Sequence, residues 1–202
     1  MNRYLATFLP VLGGALGGII VVGATLLFTT GAKQSYSPSP ATVARVKQVV
    51  ATYERFIAQA NVPPASYSLA GEVVPKTIAQ NLEQQQVATA EQLVSAKSGF
   101  LAVVVQQVQG GQAYLSNSVP GVRIVSSSVR NFQFNNVSIT SSGTALVQCT
   151  FERQTHMLRL VKGHWQPIVP PWSKESDSLD LERVSPGVWK ITGVSATVTN
   201  NG

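Results

Sequence analysis

An uncharged stretch from Tyr4 to Ala32, bounded by Arg3 and Lys33, constrains this chain more than any other feature of its sequence. A helix needs about 20 apolar residues to cross the roughly 30 Å hydrocarbon core of a bilayer, and this stretch is long enough. A cleaved secretory signal is the alternative, but the apolar region of such a signal runs to only about 7 to 15 residues. We therefore expect residues 1–32 to form a retained N-terminal membrane anchor.

The charges that flank the anchor barely distinguish its two orientations. Only three residues precede the span, which is typical of a signal-anchor, and the rest of the chain is rich in Ser, Thr, Gln and Asn. These features predict a single-pass protein of the cell membrane whose C-terminal domain lies outside the cytoplasm.

Small residues recur inside the anchor at the spacing that lets two membrane helices approach closely. Gly13, Gly14, Gly17 and Gly18 form two overlapping small-xxx-small pairs. Glycine is also frequent in membrane helices in general. Homo-oligomerisation through the transmembrane helix, or packing against a partner helix, is one prediction, and ordinary membrane-helix composition is the alternative.

Composition excludes several classes of function. The formal net charge is +6, but the basic residues are scattered singly, which favours a solvated surface over nucleic-acid binding. The lone Cys149 is in phase with Val147 and Phe151 on one strand face and is interpreted as a small core residue. Two histidines and one cysteine match no zinc pattern, and the acidic residues lack calcium-loop spacing. We expect no metal, no cofactor and no nucleic-acid partner.

The remainder of the chain divides into a Ser/Pro linker at 33–40 and one domain at 41–200. Ser39 followed by Pro40 predicts a helix start, and apolar residues then recur at helical spacing as far as Gln59. Further helix is predicted from about Pro75 and from 90–108, although the end of the latter could also enter a strand.

After Gly110 and Gly111 the apolar period changes to two, which predicts strands separated by short turns. The acidic residues Glu175, Asp177, Asp180 and Glu182 are assigned to a loop. The strands predicted from this pattern cover 122–125, 137–139, 145–152, 156–162, 164–169 and 188–194. Helices followed by antiparallel strands predict an α+β domain in which a curved, cone-like sheet packs on the helices.

One terminal motif resembles a known family. The segment SPGVWKITGVSA at 185–196, with KGHWQPI at 162–168 as an alternative copy, is similar to the last strand of the nuclear transport factor 2-like superfamily. The resemblance covers about 41–196 and implies a cone of helices on a curved sheet. Which of the two Gly-x-Trp strands ends the sheet stays open.

Many enzymes of that superfamily place an Asp and a His inside the cone. His156, in phase with Gln154, Leu158 and Leu160, is the one candidate base, and no Asp is predicted on a strand that faces it. We therefore interpret His156 as a pocket or core residue and expect no catalytic residues. Other predicted pocket or core residues are Tyr53, Phe56, Trp165 and Trp189.

Tryptophans and prolines cluster between 165 and 172. Trp172, Pro170 and Pro171 precede a polar segment, so they are predicted to be exposed and to bind a partner.

The architecture favours a non-catalytic, membrane-anchored scaffold or assembly protein. Its single span and external domain resemble in plan the assembly components of type IV secretion and conjugation machines. The partners expected are the membrane and other membrane or envelope proteins. One alternative is a membrane-tethered binding module for a small hydrophobic ligand or a cell-wall fragment. Another is a relative of the non-catalytic N-terminal domain of penicillin-binding proteins, which would require a transpeptidase domain.

Overall fold

The computed structural model describes residues 36–60, 62–68, 73–116 and 122–199. The helices precede all the strands. They are α1 (Pro40–Gln59), the short α2 (Ala65–Ser68), α3 (Lys76–Leu93) and α4 (Phe100–Ser116). α1 begins as predicted, because the Ser39 side chain accepts a hydrogen bond from the Thr42 backbone N–H at 3.2 Å and Pro40 takes the first helical position.

Within the described ranges, five strands form one antiparallel sheet. They are β1 (Val122–Ile139), β2 (Thr144–Val161), β3 (His164–Ile168), β4 (Ser173–Ser185) and β5 (Val188–Thr199). The order is β1-β2-β4-β5, and β3 pairs with the far end of β2. Residues 145–153 of β2 lie between β1 and β4, whereas residues 157–159 lie between β1 and β3 and residues 160–161 pair with β3 alone. β2 is therefore the central strand, which pairs with β1, β3 and β4.

The helices pack on one face of this sheet, which we call the inner face. Alternate residues of β2 are buried there, namely Ala145, Val147, Cys149 and Phe151. Val46, Val50 and Tyr53 of α1 meet them, and Trp189 and Ile191 of β5 complete the cluster. The predicted α+β class, with helices packed against a curved antiparallel sheet, is confirmed, and β5 is the Gly-x-Trp strand that ends the sheet.

Several predicted boundaries differ from the structure. The strands predicted at 122–125 and 137–139 are parts of one strand, β1, and those predicted at 145–152 and 156–162 are parts of β2. The helix predicted over 90–108 is interrupted between α3 and α4. Gly110 and Gly111 lie inside α4, which continues to Ser116, so the apolar period changes later than the sequence indicates. The acidic segment assigned to a loop is β4, an internal strand of the sheet. Its loop-like composition misleads because polar side chains stand on both faces of the first half of this strand.

None of the helices within the described ranges is long and apolar enough to cross a membrane. The predicted anchor at 1–32, including Gly13, Gly14, Gly17 and Gly18, lies outside those ranges.

Candidate functional site

The face of the sheet opposite the helices carries the surface features of most interest. Residues with even numbers on β2 point to this outer face, because Cys149 and Phe151 define the inner one. His156 therefore lies on the outer face, where its Nε2 is 3.0 Å from Gln154 Oε1. The predicted phase of His156 is correct, but the face is not that of the core.

The predicted partner-binding residue Trp172 is half-buried on the same outer face. The guanidinium carbon of Arg130 lies 3.7 Å from the centre of the indole ring. Arg130 Nε donates to Glu152 Oε2 at 2.8 Å, and Asn131 Nδ2 donates to the same oxygen at 2.9 Å. Arginine stacked on an aromatic face at an exposed site contributes about 0.5–1 kcal/mol, so Trp172 is held in place rather than free.

The two prolines before Trp172 bridge β3 and β4. Pro170 is half-buried and Pro171 is exposed. The Pro170 carbonyl accepts a hydrogen bond from Gln154 Nε2 at 2.8 Å, which fixes this crossing to the outer face of β2.

Next to this crossing lies a row of apolar side chains that we call the outer stripe. Register pairs Leu160 with Trp165 and Leu158 with Pro167, so these four side chains share the outer face of the β2–β3 hairpin. Val169 follows at the end of β3. Leu160 is 41% exposed and Val169 is 57% exposed. Trp165, predicted to be a pocket or core residue, is half-buried in this row instead.

The β2–β3 hairpin turns sharply at its tip. Lys162 and Gly163 have φ values of 50° and 82°, the left-handed pair of a two-residue hairpin turn. Gln59 at the end of α1 donates to the Ser127 carbonyl of β1, and Ser127 pairs with Thr155 of β2. The hairpin therefore projects beyond the end of α1.

A second feature is buried on the inner face. Glu54 of α1 is 1% exposed and Asp177 of β4 is 7% exposed. Arg153 Nη2 lies 3.6 Å from Glu54 Oε2 and 3.3 Å from Glu175 Oε2. We call Glu54, Arg153, Glu175 and Asp177 the inner carboxylate cluster. It places three carboxyl groups around one guanidinium, which cannot neutralise all of them.

Protonation resolves this imbalance. Burial raises the pKa of Glu54 well above its ordinary value, and the neighbouring Asp177 charge raises it further. Burial also raises the pKa of Asp177 to about 6, although a hydrogen bond with Glu54 opposes this shift. Among the described residues, no donor reaches Glu54 Oε1 or Asp177 Oδ1. The hydrogen bond between them raises the pKa of Glu54 and lowers that of Asp177, so Glu54 is the donor and Asp177 is the acceptor.

The cluster raises the pKa of its neighbours as well. Burial, followed by the charges of Glu54 and Asp177, raises the pKa of the Cys149 thiol to about 12. Burial raises the pKa of the Tyr53 hydroxyl well above its usual range. A thiol with so high a pKa is a poor nucleophile at neutral pH, so Cys149 is a structural residue.

The remaining predicted core residues lie on the inner side. Tyr53 and Trp189 are buried, and Phe56 packs on the same cluster. Sequence reasoning missed Glu54, Arg153 and Asp177 because they come from three separate elements. It also missed Leu160 and Val169 as surface residues. The in-phase row of Leu158 and Leu160 was visible, but only the fold shows which face it occupies.

A cavity of about 300 Å³ lies beside the β-bulge of β1 between Arg130 and Gln133. It is lined by Asn131, Phe132, Gln133, Thr150, Phe151, Glu152 and Lys174. Polar and charged side chains predominate, and neither a Trp nor a Tyr is among these residues.

No family model matches the chain, and no curated protein matches it. Several solved structures are similar in fold. The intermembrane space region of chloroplast protein ARC6 is 12% identical with a TM-score of 0.50, over 78% of this chain and 97% of that one. A periplasmic fragment of TraM is 9% identical with a TM-score of 0.42, over 76% and 98%. CagV, a VirB8 homolog of T4SS from Helicobacter pylori strain 26695, is 12% identical with a TM-score of 0.41, over 76% and 99%. The likeness to the ARC6 region shows a common fold.

Proposed function

We propose that this chain is a non-catalytic, membrane-anchored assembly protein that acts through protein contacts outside the cytoplasm, in a machine of the secretion or conjugation type. The outer stripe is the observation that carries the proposal. The class of machine and the anchor come from the sequence, which pairs an uncharged N-terminal stretch with one α+β domain.

Apolar residues scattered singly over a protein surface are ordinary, whereas a contiguous row of them marks a contact surface. Leu160, Trp165 and Val169 form such a row on the face that the helices leave uncovered. Trp172 and Pro171 extend it towards β4. Large aromatic side chains of this kind are enriched among the residues that dominate binding energy in interfaces.

The arrangement of titratable groups supports a non-catalytic role. Glu54 and Asp177 have raised pKa values, as catalytic acids often do, but both are enclosed between α1 and the sheet. His156 stands on the opposite face and contacts Gln154. An acid–base pair needs both groups within reach of one substrate, and the sheet itself separates these two sites.

A membrane-tethered binding module is the second candidate. It would need an apolar pocket, since ligand pockets are lined mainly by hydrophobic and aromatic side chains. The cavity beside the bulge, with Glu152 and Lys174 in its lining, is more polar than that. The exposed aromatic row therefore favours the assembly protein.

Gentle solubilisation of native membranes followed by native electrophoresis tests the proposal. We expect the wild-type chain to migrate in a complex far larger than its own 21.5 kDa. Leu160→Asp should release it from that complex, because a carboxylate would be desolvated in the contact. Gln148→Asp is the matched control, since Gln148 is exposed on the outer face of the same strand. Migration of the wild-type chain by itself would contradict the assembly role.

A further inference from the structure

We infer that the outer stripe receives an apolar segment flanked by acidic residues, supplied by a different envelope protein. This inference rests on the proposed function and adds the chemistry of the partner. Three observations lead to it: the charge of the β2–β3 hairpin, the composition of its edge strand, and the position of the stripe relative to the anchor.

The hairpin region carries only basic charge. Residues 154–172 include Arg159 and Lys162 but no Asp or Glu. Lys162 stands at the tip of the hairpin, and Arg159 lies on its reverse face; both are exposed. Glu152, the nearest acid along β2, is already bound to Arg130 and Asn131. An apolar partner with acidic flanks therefore matches this surface in both hydrophobicity and charge.

The partner is expected to dock on side chains rather than extend the sheet. β3 is an edge strand of five residues, and one of them is Pro167, which has no N–H to donate. A proline on an edge strand discourages the addition of another strand. The side chains of Leu160 and Trp165, by contrast, offer a continuous apolar surface on the face.

The stripe lies at the end of the domain remote from the anchor. At the start of α1, Arg45 Nη1 donates to the Gly187 carbonyl in the turn between β4 and β5. At the other end of α1, Gln59 reaches Ser127, and the stripe lies further on. From Thr144 to Leu160, β2 extends about 55 Å at 3.4 Å per residue.

The linker between Lys33 and Pro40 is shorter than the distance of about 55 Å along β2. Seven residues span at most about 25 Å when fully extended. The stripe can reach the bilayer that holds the anchor only if the whole domain lies on its side. A protein partner further from this membrane is therefore favoured over the lipid surface.

A second copy of this chain is a poorer occupant. A two-fold contact through the stripe would bring the same acid-free, basic hairpin from each subunit to the interface. Like charges brought together in an interface oppose association.

Photocrosslinking in intact cells tests the inference on the full-length chain. A photoreactive amino acid replaces Leu160, and the crosslinked peptides are identified by mass spectrometry. The control probe replaces Gln148, which faces the same way at the other end of β2. We expect adducts at position 160, and not at 148, with a segment of another protein that combines apolar and acidic residues.

Charge reversal supplies the second readout. In the background of the position 160 probe, Lys162→Glu should lower the adduct yield on the order of five-fold, the effect of about 1 kcal/mol. Arg159→Glu, on the reverse face of the hairpin, should lower it less. Lys97→Glu, an exposed reversal near the opposite end, should leave the yield unchanged.

Each alternative occupant gives a different product. Adducts with a second copy, lipid adducts, or a yield that does not respond to either reversal would overturn the inference. In those cases the large complex in native electrophoresis could still be present, and the proposed function would stand. If the wild-type chain formed no large complex in native electrophoresis, the proposed function itself would be contradicted.

Discussion

At the residue scale, Trp189 and Trp172 occupy opposite faces of the sheet and have different surroundings. Trp189 is buried among Ile191, Val194 and α1, so truncation to alanine leaves a cavity. We expect Trp189→Ala to lower the free energy of unfolding by about 3 to 5 kcal/mol. Trp172→Ala should cost about 1 kcal/mol, chiefly through loss of the stacked Arg130.

Urea denaturation of a fragment spanning residues 36–202 measures both losses. Equal, large losses would mean that Trp172 is also a core residue. The contact at the outer face would then lack one of its aromatic side chains.

Sequence periodicity predicted which residues share a face but not which face is buried. His156 and Leu160 were correctly placed in one row, yet the row lies on the outer face. A strand with apolar residues on both sides gives no signal for the choice between faces. In β2 the buried face is the one that carries Phe151, because α1 packs on that side.

At the scale of elements, the inner carboxylate cluster connects α1 to strands β2 and β4. Because its carboxyl groups titrate, the stability of this packing depends on pH. The pKa of Asp177 is raised from 3.8 to about 6, and that of Glu54 is raised as well. The native state therefore holds protons that the unfolded state releases. By linkage, the contribution of these two carboxyl groups to the free energy of unfolding is most favourable below about pH 4. It is lost as the pH rises through their native pKa values.

We expect the free energy of unfolding to fall between pH 4.5 and 7.5. The rise in the pKa of Asp177 from 3.8 to about 6 sets an upper limit of about 3 kcal/mol for the contribution of this residue. Asp177→Asn should make this slope smaller, because the amide cannot ionise; the part that comes from the burial of Glu54 should remain. Glu91→Gln, at an exposed site on α3, should not alter it.

Urea titrations of the 36–202 fragment at several pH values give the slope directly. A wild-type stability that rises over this interval, or an Asp177→Asn slope equal to that of the wild type, would contradict the shared-proton description of the cluster.

The same cluster explains why β4 was not predicted from the sequence. Its first half places Glu175 and Asp177 at the positions that face the helices, where apolar residues mark most strands. These carboxyl groups are accommodated by Arg153 on β2 and by Glu54 on α1. Both partners are distant in sequence, so local pattern alone indicates a loop. α1, by contrast, has a local signal in its Ser39 cap.

At the scale of the whole molecule, the predicted anchor and the proposed contact surface lie at opposite ends of the long axis of the sheet. The start of α1 and the turn at Gly187 form the end to which the predicted anchor is joined. The outer stripe occupies the other end. A domain built this way can hold a contact surface some distance from the membrane.

Cysteine accessibility at Val169 tests the contact most directly. Cys149, the one native cysteine, is buried and its thiol pKa is about 12, so it should react slowly with maleimide. Val169→Cys places a reporter on the outer stripe, and Gln148→Cys places one on the outer face away from it. The rate of labelling is compared between native membranes and the purified full-length chain in detergent. We predict that position 169 reacts several-fold more slowly in native membranes while position 148 reacts equally in both. Equal rates at position 169 in the two preparations would contradict a contact at the outer stripe.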